Sequence, residues 1–279
     1  MGKLDGKVAL ITGAARGQGR AHAVRLAQEG ADIIALDVCH DLDTVPYPLG
    51  TAADLAQTVK EVESLDRRIA SFEGDTRDYG RMEEIVADGV AEFGRIDIVV
   101  ANAGICTSAP VWELTPEVWK EMIDVNLTGV FNPVRAALPT LMAQGPGGAI
   151  VLTSSAAGLN AFPNMAHYTA AKHGVTGLMR SLAVELAPHG IRANSVHPTT
   201  VDTPMVQNPA FWGLLGSQDA EGAKPGFMSL NALRIPYVES VDISNAVAYL
   251  VSDEARYVTG VALPVDAGGS APYRIPHSA

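Results

Sequence analysis

The chain has 279 residues with no repeat, low-complexity tract or charged linker, a length that fits one large α/β domain better than two. Its 31 acidic against 20 basic residues leave a net charge of -11, which argues against nucleic acid or an anionic membrane as the main partner, because phosphate binding needs clustered Lys and Arg. Hydrophobic content of 47% is ample for a core, yet no apolar run nears the roughly 18 residues of a spanning helix, and the first strand starts too early for a signal peptide, so a cytoplasmic protein is expected. Cys39 and Cys106 lie far apart outside any C-x-x-C pattern; they read as reduced thiols, and no metal site is expected.

Val8–Thr12 reads as a buried strand, and Gly13-Ala-Ala-Arg16-Gly17-Gln18-Gly19 then opens a helix to about residue 29. Glycines let backbone pack closely against a ligand, and the helix N-terminus offers free N–H groups and partial positive charge to a pyrophosphate. The second strand, residues 32–36, ends in Asp37. An acid there can accept hydrogen bonds from both adenosine ribose hydroxyls and repel a 2′-phosphate, which selects NAD over NADP. Arg16 is the contrary signal, a cation that could meet such a phosphate. Residues 39–50, with Pro46, Pro48 and Gly50, read as a loop, and residues 51–65 as a helix. Ile69–Glu73 is the third strand, followed by Gly74-Asp75-Thr76. An amphipathic helix over 81–93 leads to a fourth strand, 96–101, ending in Asn102-Ala103-Gly104. Thr115-Pro116 is a good helix start, with Thr as N-cap and Pro at the first helical position. Asn126 falls inside that helix, where Asn is a mediocre former.

Residues 148–152 read as the fifth strand, so Ser155 sits at its exit, and residues 167–187 have the length and period of a helix. Tyr168 and Lys172, four apart, then share one face with Cβ atoms about 5 to 6 Å apart. A free phenol titrates near 10. The Lys172 ammonium should lower it, a cationic ligand should lower it further, and the Ser155 hydroxyl can hold the same substrate oxygen that Tyr168 protonates or deprotonates. Such general acid–base chemistry contributes roughly 100- to 10,000-fold. Residues 193–196 form a sixth strand, followed by Pro198-Thr199-Thr200-Val201-Asp202-Thr203. The long irregular segment 205–238 carries Phe211, Trp212, Leu214, Leu215, Phe227 and Met228. It reads as a substrate loop around a water-poor pocket for a hydrophobic alcohol or ketone, or else as ordinary packing or a subunit interface. A last helix, 241–251, and a closing strand, 261–265, complete an alternation that implies a single-domain, Rossmann-type, doubly wound parallel sheet of about seven strands.

Taken together, Thr12-Gly-x-x-x-Gly-x-Gly19, Asn102-Ala-Gly104, Asn126, Ser155 and Tyr168-x-x-x-Lys172 resemble, in order and spacing, the short-chain dehydrogenase/reductase family over nearly the whole chain. An insertion of about a dozen residues at 38–50, with Gly17-Gln18-Gly19 and the His197 to Pro204 run, resembles its mycofactocin-coupled, carveol dehydrogenase-like subgroup. The family resemblance implies an NAD-dependent interconversion of secondary alcohol and ketone. In that reading the catalytic residues are Asn126, Ser155, Tyr168 and Lys172. Asn126 disturbs its helix and positions a water linking Lys172 to solvent, and Lys172 also binds the nicotinamide ribose. The cofactor-binding set is Gly13, Arg16, Gly17, Gln18, Gly19, Asp37, Val38, Asp75, Thr76, Asn102, Ala103, Gly104, Tyr168, Lys172, Val201 and Thr203. Of these, Asp75 meets adenine, and Val201 and Thr203 hold the nicotinamide. Thr199 stands where the family usually has Gly. The resemblance further implies a homotetramer packed through the helices of Asn126 and Tyr168, and NAD held without exchange beneath the insertion and reoxidised by mycofactocin, a peptide-derived redox carrier. The alternatives are an NAD-sensing regulatory protein on the same fold, which the intact four-residue set speaks against, a conventional NAD-exchanging dehydrogenase, and an enzyme of another class such as an epimerase.

Overall fold

The computed structural model describes residues 2–271. Its seven strands are β1 (Val8–Thr12), β2 (Asp32–Asp37), β3 (Ile69–Glu73), β4 (Ile98–Ala101), β5 (Ala149–Thr153), β6 (Arg192–Pro198) and β7 (Ala262–Val265). They form one parallel sheet in the order β3-β2-β1-β4-β5-β6-β7. Strands β1, β4 and β5 are buried at every position, as their unbroken apolar runs require when both faces of a sheet are covered. The helices are α1 (Gly17–Gln28), α2 (Ala52–Glu63), α3 (Tyr79–Phe93), α4 (Pro116–Ile123), α5 (Gly129–Ala143), α6 (Ala166–Leu186), α7 (Pro209–Leu214), α8 (Ala220–Ser229) and α9 (Ser240–Val251).

Alternate strand residues divide between two cores. Ala9, Ile11, Ile33 and Val100 meet Leu26 of α1, Val62 of α2 and Val247 of α9. Leu10, Ile34, Val99 and Ile150 meet Ile85 of α3, Val134 of α5 and Met179 of α6. Strand order reverses between β1 and β4, and loops leaving the C-terminal ends of neighbouring strands part there, opening the crevice in which such folds bind ligands.

Local chemistry sets the helix starts. Thr115 accepts from Val118 N, with Pro116 at the first helical position, and Thr51 and Asp54 form a reciprocal capping box. Two segments depart from expectation. Residues 205–238 are not irregular throughout, because α7 and α8 form within them, capped by Asn208 and Asp219. Gly213, Gly216, Gly222, Gly226 and the internal Pro225 blur the helical period of that stretch. Helix α5 was not legible either, since it carries Pro133 and Pro139 in its interior.

Candidate active site

Two cavities meet at the C-terminal ends of β1, β4 and β5. The first, of about 140 Å³, is lined by Gly13, Arg16, Gly17, Gln18, Asp37, Val38, Asp75, Thr76, Asn102, Ala103, Gly104 and Thr203. The glycines are required by space. Gly13 has φ of 67°, and a Cβ on it would stand 2.8 Å from Ala103 Cα. Thr12 Oγ1 accepts from both Asn102 N and Ala103 N at 2.9 Å, fixing the β1 and β4 loops to each other. Gly19 lines neither cavity; a Cβ there would lie 2.0 Å from Gly13 O, so its lack of a side chain lets α1 pack under its own loop. Val201 faces the second cavity, not this one.

Asp37 is buried, and its carboxylate accepts from Ala15 N at 2.9 Å and Val38 N at 2.8 Å. Those bonds hold it rigid, and each carboxylate oxygen keeps further acceptor capacity for the paired hydroxyls of a ribose. Arg16, the contrary signal, donates to the carbonyl of Pro48 in the inserted segment. Asp75 is clamped by Arg77, whose Nε and Nη2 donate to Oδ2 at 2.8 and 2.6 Å, while Arg77 also bridges to Glu121. Gln18 borders both cavities, and its Oε1 is buried without a protein partner. A close-approach glycine loop, a rigid carboxylate and an orphaned amide oxygen together fit a dinucleotide.

The second cavity, of about 310 Å³, holds Asn126, Ser155, Tyr168 and Lys172 in its wall beside apolar residues from α7, α8 and the segment before α6. Ser155, just past β5, is extended and accepts from Ala157 N at 3.1 Å, which leaves its hydroxyl proton to donate into the cavity, on the side where it favours the Tyr168 phenolate. Lys172 is buried and donates to Thr153 O at 2.9 Å, with its ammonium 5.6 Å from the centre of the Tyr168 ring. Burial holds the Lys172 pKa down at about 8. Burial also pushes the Tyr168 phenol above its ordinary value, against the opposing effect of the Ser155 hydroxyl. This is opposite in sign to the lowering expected from Lys172, because the cost of desolvating the phenolate is the largest effect on the group and outweighs the favourable contacts around it.

Asn126 lies in a single π-helical turn, Asp124–Thr128, between α4 and α5. Its Oδ1 accepts from Ile105 N at 3.1 Å and its Nδ2 donates to Ile105 O at 3.0 Å, so the side chain is locked across the β4 loop. A Cβ on Gly104 would stand 2.7 Å from Asn126 Oδ1 and 3.5 Å from Lys172 Nζ; only Gly leaves the path between them open. Thr199, in place of the family glycine, donates to Asn231 Oδ1 at 2.7 Å and ties the end of β6 to the segment after α8.

The inserted segment makes contacts that its sequence did not reveal. Tyr47 is 5% exposed, and its hydroxyl accepts from Cys106 N at 2.9 Å. Tyr47 packs with Cys106, Val206 and Phe211, while Val45 and Leu49, like Tyr168, pack against the cluster of Ile105, Met122 and Val125. Thr44 donates to Glu121, and Gly50 sits where a Cβ would meet Ala15 at 2.9 Å and Asp37 Oδ1 at 3.4 Å. Leu42, Tyr47, Leu49 and Gly50 thus line the first cavity, while Tyr47 backs Cys106, Val206 and Phe211 in the wall of the second. The lone aromatic between Pro46 and Pro48 was the available signal for this anchor. Cys106 also lines the second cavity, its thiol pushed up to about 12 by burial.

The family model described as short chain dehydrogenase matches residues 7–211. The (-)-trans-carveol dehydrogenase of Rhodococcus erythropolis is 52% identical over 274 residues, spanning 96% of this chain and 99% of that protein. Among solved structures, carveol dehydrogenase from Mycobacterium avium in complex with NAD superposes with a TM-score of 0.95 at 51% identity, covering 96% of this chain and 99% of that one. A short chain dehydrogenase from Mycobacterium paratuberculosis bound to NAD gives a TM-score of 0.87 at 48% identity, again over 96% and 99% of the two chains.

Proposed function

This chain belongs to the short-chain dehydrogenase family, and we propose that, as an NAD-dependent oxidoreductase acting on CH–OH groups, it interconverts a hydrophobic secondary alcohol and its ketone. The observation that carries this reading is the junction of the two cavities, where Gln18, Asn102, Gly104 and Thr203 belong to both linings. A dinucleotide seated on Asp37 and the glycine loop would reach that junction with its nicotinamide, which supplies the two-electron acceptor when bound.

The protein's own residues supply the rest. Ser155, its oxygen already accepting from Ala157 N, donates its hydroxyl proton to the substrate oxygen and orients it. Tyr168 takes the hydroxyl proton during oxidation and returns it during reduction. Because burial alone disfavours the phenolate, its formation depends on positive charge from protonated Lys172 and from the bound cofactor. Lys172 has donors left beyond its bond to Thr153 O for the nicotinamide ribose. The open path at Gly104 supports a proton outlet past Asn126. Met165, Phe211, Leu214, Leu215 and Phe227 make the second cavity apolar, which suits carveol, a cyclic monoterpene alcohol, and excludes strongly hydrated substrates.

The inserted segment supports retention of NAD, since release from Asp37 requires Arg16, Tyr47 and Gly50 contacts to part. Reoxidation would then fall to an external carrier, mycofactocin in the reading the family resemblance implies. Trp119 on α4 and Phe131 on α5, 43% and 41% exposed, support the homotetramer packed through these helices and α6. No helix among the described residues is long and apolar enough to cross a membrane, and the protein is proposed to work in the cytoplasm. A panel of secondary alcohols with an artificial electron acceptor tests the function. Turnover of cyclic apolar alcohols supports it, whereas a panel inert under conditions that keep the cofactor bound would overturn it.

A further inference from the structure

The hydroxyl of Ser155 can orient a substrate oxygen only if the backbone that carries it is held in place, yet β5 has ended at Thr153. The last sheet bond is Ser154 N to Val196 O, at 2.9 Å. Beyond it, the Ser155 carbonyl accepts from Gly158 N at 2.8 Å and from His197 Nδ1 at 2.9 Å. The Gly158 bond lies within the turn Ala156–Gly158 and moves with it. The bond from His197, on β6, is the one that ties the turn to the sheet.

A carbonyl oxygen only accepts, so His197 must carry a proton on Nδ1. Its Nε2 lies 2.8 Å from Ser195 Oγ, which can donate to it and thereby select that tautomer. His197 is completely buried and borders neither cavity, so it does not touch substrate or cofactor. Burial holds its pKa below the ordinary value, which keeps the ring neutral and the tautomer unambiguous. A strand position needing only volume would be filled by an aliphatic residue. A histidine fixed at both nitrogens serves a directional purpose.

We propose that His197 is a positioning residue for the reaction: through the Ser155 carbonyl it sets where the Ser155 hydroxyl meets the substrate oxygen, and Ser195 holds it in the tautomer that does so. This rests on the role given to Ser155 above. Misplacing a reacting group by about 1 Å can cost on the order of 100-fold in rate.

The test is a double-mutant cycle measured with carveol, bound NAD and an artificial electron acceptor. His197→Leu should lower kcat by about 10- to 100-fold while leaving NAD retention unchanged. His197→Asn, whose amide N–H can reach the same carbonyl, should recover most of the rate. In a Ser155→Ala background His197→Leu should cost nothing further, because there is no hydroxyl left to misplace. Should His197→Leu not accumulate as folded protein, His197→Gln carries the same test, since its amide extends past the carbonyl and should be as slow. The inference is overturned by full kcat in His197→Leu or His197→Gln, by an equal loss in both backgrounds, or by His197→Asn being as slow as His197→Leu. Ser155→Ala at full kcat would overturn the Ser155 reading itself, and this inference with it. A slow Ser155→Ala beside an unimpaired His197→Leu would overturn the inference alone.

Discussion

Tyr47→Phe isolates the contact that anchors the inserted segment beside the first cavity. The ring, 5% exposed among Cys106, Val206 and Phe211, keeps its volume and its burial in the variant. Only the hydroxyl is lost, and with it the acceptor for Cys106 N at 2.9 Å. In the closed segment that N–H becomes buried and unpaired; once the segment opens, water satisfies it. The closed state is therefore disfavoured by the cost of an unsatisfied buried donor, about 1 to 3 kcal/mol. That corresponds to a shift of about 5- to 150-fold in the opening equilibrium, and it appears in the off-rate because release follows opening. The assay loads the protein with reduced cofactor, passes it through gel filtration, adds excess NAD, and follows loss of bound-cofactor fluorescence. Tyr47→Phe should release cofactor within that range faster than the parent protein, with Tyr47→Ala faster still. Equal release from parent and Tyr47→Phe would refute the role of the segment as a barrier to exchange.

Tyr168→Phe should lower kcat by roughly 100- to 10,000-fold while bound NAD is retained, and Lys172→Ala should damage both turnover and retention, as read by steady-state rates and cofactor content. Asp37→Ala removes the acceptor for Ala15 N and for the ribose hydroxyls, so NAD affinity should fall by roughly 10- to 100-fold while the bar against NADP relaxes; an unmodified protein binding both equally would contradict the assignment. The Cys106 thiol, pushed up to about 12, keeps its proton in the folded protein where an unfolded thiol, near 8.5, has lost it. Between those values the unfolded state binds fewer protons, so stability falls as pH rises, and Cys106→Ala should flatten the alkaline slope of Tm; an unchanged slope would refute the buried-thiol contribution.

Much of this was legible because the deciding forces are local. Strands covered on both faces must be apolar throughout, so β1, β4 and β5 announced themselves. The glycines of the first loop and the four-residue spacing of Tyr168 and Lys172 are likewise local geometry. What escaped depends on contacts between distant segments. Tyr47 and Cys106 are 59 residues apart, and nothing near either announces the bond between them. His197 and Ser155 are separated by 42. The sign of the Tyr168 shift depends on how deeply it is buried, which the Tyr-x-x-x-Lys pattern does not encode. Helix α5 was hidden by Pro133 and Pro139, whose local cost is outweighed by the burial of Val130, Val134 and Leu141.

The most direct test of the central claim is a rapid-mixing experiment on NAD-loaded protein with carveol and no external acceptor, read by reduced-nicotinamide absorbance. The protein should give one burst, equal to about one reduced cofactor per protomer, followed by a stall, and Tyr168→Phe should give no burst. A burst of equal size and rate in Tyr168→Phe would contradict the acid–base assignment. Absence of any burst from fully loaded protein, with carveol and with the other secondary alcohols of the panel, would contradict the activity itself.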